Sequence, residues 1–291
     1  MKPRVQIWER ATCCATIGLR LWDAVTATHL WDGLEIDVVA RARPQSRARA
    51  FVNRSGIYCV MGLPGLRDFE LGNDEDDVEI WRTALRHYRI EVRDPFDRFH
   101  SFTFNADLLI RGFLNWMAPW TSPIESLVLP TDNGSPPGSM AARIPLFSAP
   151  SREIPGTFAV VRSQLQEKET KRHAAWCLLT VSIDKVIRGV GVADKEGRVV
   201  IIFSYPERPR PVLTSPLTTI NDFRWDIELA AYYVPKTEDT LASDIPDLAA
   251  ILDQLNSPRT LFPQTSQLWI EYGRSLTVRS QDSSFLFVNT V

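Results

Sequence analysis

Ala48-Arg49-Ala50-Phe51-Val52-Asn53-Arg54-Ser55-Gly56-Ile57-Tyr58-Cys59-Val60-Met61-Gly62-Leu63-Pro64 is the stretch on which the fold is decided. Arg47, Arg49 and Phe51 alternate with Ala48, Ala50 and Val52, the two-residue period of a half-buried strand. Ile57 to Met61 is almost wholly apolar and reads as a central strand, stopped by Pro64. Between the two runs, Gly56 can take a positive φ without steric cost, so Asn53-Arg54-Ser55-Gly56 predicts a tight turn. A β-hairpin inside an antiparallel sandwich follows, and no catalytic loop.

Upstream, Leu34, Ile36, Val38 and Ala40 alternate with Glu35, Asp37 and Val39 as another strand. Carried on in register, Arg41 and Arg43 fall on the outer face. After a turn at Pro44-Gln45-Ser46, Arg47 and Arg49 point the same way. Four arginines on one side of a hairpin tip have three readings. They are a solvated edge whose like charges discourage sheet-to-sheet association, a dock for an acidic protein patch, or a nucleic-acid contact. The last is disfavoured because the chain carries no wider basic stripe.

Further strands are expected at Ile17–Leu21, Tyr88–Val92 and His100–Phe104, with a turn at Asp94–Arg98. His100, on an apolar strand face, reads as a hydrogen-bonded core histidine. Later come Phe158–Leu165, Leu179–Ile183 and Trp225–Tyr233, a short helix at Leu248–Leu252 capped by Ser243 or Asp244, and two or three closing strands. Ala193 to Phe203 replays the central hairpin, a polar turn, Gly197 in the place of Gly56, then an apolar strand. This predicts one sandwich unit used twice. The proline-rich run 118–142 marks a linker or arm. The expected organisation is therefore an N-terminal sandwich at 1–117, that linker, and a C-terminal sandwich at 143–291: a mainly β protein of two antiparallel β-sandwich domains, transthyretin-like or Ig-like, with one or two short helices.

Composition narrows the function. The 291 residues are 44% hydrophobic, enough for a substantial core, and nine Trp and fourteen Phe make that core aromatic. A net charge of −2 gives no global field towards nucleic acid or an anionic membrane. Cys13, Cys14, Cys59 and Cys177 contain no CxxC and form no disulfide framework, which suits buried thiols in the cytoplasm. Charges interrupt the N-terminus before any secretory apolar run, and no run reaches the roughly 20 apolar residues that span a bilayer. Hydrolase, metalloprotease and nucleotide-binding motifs are absent, and the four histidines stand far apart. No catalytic residue, cofactor or resident metal is expected. The acids Asp74, Asp76 and Asp77 could supply oxygens to Ca²⁺, but their spacing is not that of an EF-hand loop, so they read as a solvated loop and a candidate contact. Trp116 and Trp120, beside the proline-rich run, are candidate apolar anchors.

The unit from Asn53 to Pro64 resembles the hallmark of carboxypeptidase-regulatory-like, transthyretin-like sandwiches, in which a polar turn and glycine precede an aromatic strand and Leu-Pro. The resemblance spans about residues 15–110 and, more faintly, 155–235, and implies a non-catalytic folding, binding or assembly module. Ile17 to Thr26, Ser55 to Leu66, Tyr88 to Asp94 and Arg143 to Pro150 together look like a bacterial protein group encoded beside phage-tail-like contractile injection systems. That likeness implies a baseplate, cap or collar component that binds other subunits of a particle, associates with its own copies there, and is built in the cytoplasm. The expected contacts are the arginine tip, the acidic segment 73–79 and the proline-rich run. A carbohydrate-binding module is the alternative reading, and an enzyme with a dispersed site a further one.

Overall fold

The computed structural model describes residues 15, 17–63, 85–109, 142–207, 223–235, 245–262, 267–280 and 283–289. Asp74, Asp76, Asp77, Trp116, Trp120, Cys13, Cys14 and the proline-rich run 118–141 lie outside them. The protein is mainly β, with eighteen described strands and one short α-helix.

Strands β1 (Ile17–Asp23), β2 (His29–Leu30), β5 (Phe51–Val52), β6 (Tyr58–Val60) and β9 (Ala142–Leu146) form one sheet, while β3 (Glu35–Ala40), β4 (Arg43–Arg49), β7 (Leu85–Arg93) and β8 (Phe102–Leu109) form the sheet facing it. Ile17, Leu19 and Leu21 of β1, Tyr58 and Val60 of β6, Ile36 and Val38 of β3, and Ile90 and Phe104 of the facing sheet meet in one core. The alternation in β1, with every second residue buried, is the pattern its sequence predicts.

The later strands repeat this arrangement. They are β10 (Phe158–Glu167), β11 (Leu178–Ile183), β12 (Val186–Val192), β13 (Arg198–Ser204), β14 (Arg224–Tyr232), β15 (Arg259–Phe262), β16 (Leu268–Glu271), β17 (Ser275–Val278) and β18 (Leu286–Val288). In the first set β1 pairs antiparallel with β6 and parallel with β9, and β3 with β4 and β7, and β7 with β8, antiparallel. In the second, β10 pairs antiparallel with β13 and parallel with β17, and β11 with β12 and β14, and β14 with β15, antiparallel. Seven strands in each set thus share one pairing graph. A second core, with Val161, Leu179, Val181, Ile201, Leu229 and Val288, fills the later set.

The repeat extends to the turn atoms. Gly56 N–H donates to Asn53 O and Asn53 N–H to Ile57 O; Gly197 N–H donates to Asp194 O and Asp194 N–H to Arg198 O. The Asn53 Oδ1 accepts from the Ser55 and Ile57 amides at 2.9 Å each, and the Asp194 Oδ1 from the Glu196 and Arg198 amides at 2.9 and 2.8 Å. Gly56 and Gly197 sit at φ 71° and 74°, in the left-handed region that favours glycine.

Three expectations are corrected. Residues from 143 on, assigned to the C-terminal sandwich, begin with β9 (Ala142–Leu146), which pairs with β1 in the first set. The arginine hairpin turns at Arg41-Ala42, while Pro44-Gln45-Ser46 lies within β4, where the register jumps from Ala40↔Arg43 to Val39↔Arg47. Because β4 is an edge strand, this bulge leaves the missing proline N–H without consequence. The helix α1 (Leu248–Asp253) is capped by Asp247, whose side chain accepts from Ala249 N–H, and not by Ser243 or Asp244.

Helix α1 lies where the two sets of strands meet. Leu248, Ile251 and Leu252, spaced along one helical face, join the first core together with Leu178 of β11 and Val190 and Val192 of β12. Thr103 N–H of β8 donates to Pro246 O just before the helix. Gln254 is buried there: its amide nitrogen donates to Trp176 O and Ile251 O, and its oxygen accepts from Val234 N–H. Trp176 has φ 61°, uncommon for a bulky residue, and its ring stands edge-on to His100 at 6.1 Å.

Candidate partner-binding surfaces

The four arginines of the tip do not act alike. Asp37 is buried, and its carboxylate takes Arg47 and Arg49, each at 3.3 Å. Arg49 also reaches Glu35, and Arg47 reaches Glu91, which in turn pairs with Arg93. The result is a charge ladder across the outer face of β4, β3 and β7, which raises the Arg49 guanidinium above its ordinary value through its hydrogen bond and charge contact with Asp37. Arg47 and Arg49 are therefore ladder members, held by a carboxylate that their loss would leave buried and unpaired.

Arg41 and Arg43 sit past the end of that ladder, exposed at the turn. Arg41 N–H donates to His87 O, which brings the turn against the start of β7, where Arg86 is also exposed. No ion pair joins Arg41, Arg43 or Arg86 to a carboxylate of the described residues, whereas neighbouring His87 is spanned by Asp107 at 2.6 Å. Arg86 belongs to this corner only through pairing between distant strands. Its position one residue from the partner of Arg41 could be found in the sequence only with the β3–β7 register in hand.

At the opposite end of β3 and β7, Trp31 and Phe96 stand out 60% and 68% exposed. Both are on held turns. The Asp94 carboxylate accepts from Phe96, Arg98 and Phe99 amides and from the Arg98 guanidinium, whose carbon lies 5.3 Å from the Phe96 ring centre. Trp31 packs its Cβ against Gly56, where an added methyl group would come within 2.9 Å. Sequence reading missed this pair because single exposed aromatics carry no periodicity that sets them apart from core ones.

A third surface is an open cleft of about 850 Å³ between the two sets of strands, lined on one side by Asp97, Phe99, His100 and Ser101 and on the other by Arg162 to Gln164 of β10 and by Asp194, Lys195, Glu196, Arg198 and Val199. His100 is bonded as expected, its Nε2–H donating to Val192 O at 2.9 Å. Burial lowers its pKa, against small opposing effects of that bond and of Asp194. Nearby, the Asp23 carboxylate is held by both terminal nitrogens of Arg152 at 2.9 and 2.5 Å. Burial pushes that carboxyl up, but Arg152 and the Val25 and Thr26 donors outweigh it, leaving the pKa below its ordinary value.

Cys59 and Cys177 are buried free thiols, and burial raises both. Among the described residues no group of three His, Cys, Asp or Glu side chains could hold a metal ion. No described helix is long and apolar enough to cross a membrane. No protein-family model matches the chain, and no curated protein matches it.

Proposed function

We propose that the protein is a non-catalytic assembly subunit, a baseplate, cap or collar component of a phage-tail-like contractile injection particle put together in the cytoplasm. It works by binding other protein subunits. The likeness of its sequence segments to proteins encoded with such particles supports the particle. The sorting of arginines on one sheet supports the mode of binding: Arg47 and Arg49 are committed to Asp37 and its neighbours, while Arg41, Arg43 and Arg86, at the corner, make no ion pair with a carboxylate of the described residues, the nearby Asp107 being engaged by His87. An acidic patch on a neighbouring subunit is the complement of that corner, and charge of this kind sets register and partner choice. Trp31 and Phe96, at the other end of the same sandwich, supply the exposed aromatic anchors in which binding energy concentrates. Two exposed surfaces at opposite ends of one sandwich suit a subunit that bridges neighbours.

The test replaces the chromosomal copy with the R41S/R43S/R86S variant and follows the chain through sedimentation of assembled particles. The parent is expected in the particle fraction, and the variant in the unassembled fraction with an unchanged Tm. A parent chain that never sediments with particles, or a variant that assembles normally, overturns the proposal. R47S/R49S is the contrasting variant: it strands Asp37 and is expected to lower Tm.

A further inference from the structure

The cleft between the two sets of strands has features that the assembly role does not use. Its charges cancel. Arg162, Lys195 and Arg198 are set against Asp97, Asp194 and Glu196. Two of these neutralise each other directly, since Arg198 donates to the Asp194 carboxylate at 2.7 Å and also reaches Glu196 at 3.1 Å. No net charge remains to attract a phosphate, a carboxylate or a polyamine.

What remains is a set of small neutral hydrogen-bonding groups. Ser101, half-buried, and Thr277 and Ser284, exposed at the rim, line the cleft from three different segments, and their hydroxyls bond to no described residue. Each hydroxyl can both donate and accept. Arg162 spends one terminal nitrogen on Pro150 O, and Gln164 spends its amide N–H on Glu196 O, which leaves the guanidinium's other donors and the amide oxygen for a ligand. The walls are held: Asp194 accepts three bonds within its own turn, and Ser163 donates to Val278 O. A volume of about 850 Å³ is within the range of small-ligand sites.

We infer that this cleft binds a short neutral oligosaccharide, whose hydroxyls both donate and accept and so match a charge-balanced, hydroxyl-lined wall. A charged ligand would leave part of that wall unpaired, and an apolar ligand would leave all of it so. Because Ser101 belongs to the first set of strands and Thr277 to the second, the ligand ties the two together. The cleft adjoins the Phe96 turn but not the arginine corner, which lies at the far end of the first sandwich, so variants of that corner separate this inference from the assembly proposal.

The experiment is calorimetric titration of the full chain with maltotriose, cellotriose and N,N′,N″-triacetylchitotriose, alongside citrate and spermine as charged controls. At least one trisaccharide is expected to bind saturably, and the charged controls not at all. Ser101→Trp fills the cleft and is expected to weaken binding at least about tenfold. T277A/S284A, which removes two hydroxyls without adding bulk, is expected to weaken it by about three- to tenfold. R41S/R43S is expected to bind as the parent does, so that failure of assembly and failure of sugar binding are separable. Absence of binding by all three trisaccharides, tighter binding of a charged control, or parental affinity in S101W with an unchanged Tm overturns the inference.

Discussion

Replacing each of the two repeated turn glycines by alanine asks how far the two sandwiches are equivalent. Both glycines hold a φ near 70°, which costs an L-residue about 1 kcal/mol or somewhat more. Their surroundings differ. At Gly56 an added methyl meets the Cβ of Trp31 at 2.9 Å and the His29 ring at 3.2 Å. Trp31 is largely exposed and can move outward, so G56A is expected to cost about 1 to 1.5 kcal/mol. At Gly197 the methyl meets the Leu165 carbonyl oxygen at 2.3 Å. That carbonyl belongs to β10 and accepts from Ala174 N–H, while Leu165 N–H donates to Gly197 O. The turn and the strand cannot separate without straining both bonds, each worth about 1 kcal/mol. G197A is therefore expected to cost about 3 kcal/mol, the sum of the backbone term and two weakened bonds. Urea unfolding reads the difference as a lower midpoint at unchanged slope. Equal losses in the two variants, or a loss below about 0.5 kcal/mol for G197A, would refute the account of the Leu165 contact.

Two further perturbations test the region where the sandwiches meet. The folded-state pKa of His100 lies below its ordinary value of 6.5, so the unfolded chain binds a proton that the folded chain refuses. Stability is then full above about pH 6.5 and declines as pH falls towards the folded value. His29, also lowered by burial and by Arg20, adds the same sign. His100→Gln keeps an N–H donor for Val192 O but does not titrate, so it should flatten the dependence of Tm on pH between 7 and 5.5. An undiminished slope would exclude His100 as its source. Asp23→Ala strands the largely buried Arg152 and is expected to cost about 3 kcal/mol. Because the Asp23 pKa is lowered when folded, the pair's contribution is present above the ordinary value of 3.8 and fades below it. The gap between D23A and the parent should therefore narrow in acid, as followed by thermal melts at pH 7 and pH 3.

Local alternation carried most of the fold into the sequence. The period of two in Ile17–Leu21 and in Phe158–Leu165 fixed which residues enter the core, and the turn chemistry of Asn53–Gly56 and Asp194–Gly197 located both turns, although only the first joins two paired strands, since β12 and β13 lie in different sheets. What alternation does not encode is which strand lies beside which. Proximity in sequence assigns residues from 143 on to the C-terminal half, whereas Ala142–Leu146 pairs in parallel with β1, more than a hundred residues earlier. The arginine turn was misplaced because proline and serine are strong turn formers, and an edge bulge tolerates them equally well. The charge ladder was invisible for the same reason as Arg86. Whether an arginine is free depends on cross-strand neighbours such as Asp37 and Glu91, and the register that supplies them is a long-range property.

The shared pairing graph also explains why the surfaces differ between the two halves. In the first sandwich the strand after the bulge breaks at Ala50 and resumes as β5, whose Phe51 and Val52 are exposed at a sheet edge. In the second, the counterpart β12 runs unbroken to Val192, and Gly189 and Gly191 let it lie against β13 so closely that a methyl on Gly191 would meet Val200 O at 2.6 Å. β12 remains the end strand of its sheet, and Val190 and Val192 are buried with α1 in the first core. The second sandwich thereby spends its β11–β12 face on holding the pair together, while the first keeps its arginine corner and aromatic turns exposed. One architecture used twice is in this way put to two structural ends, with one copy bracing the body and the other leaving its ends exposed.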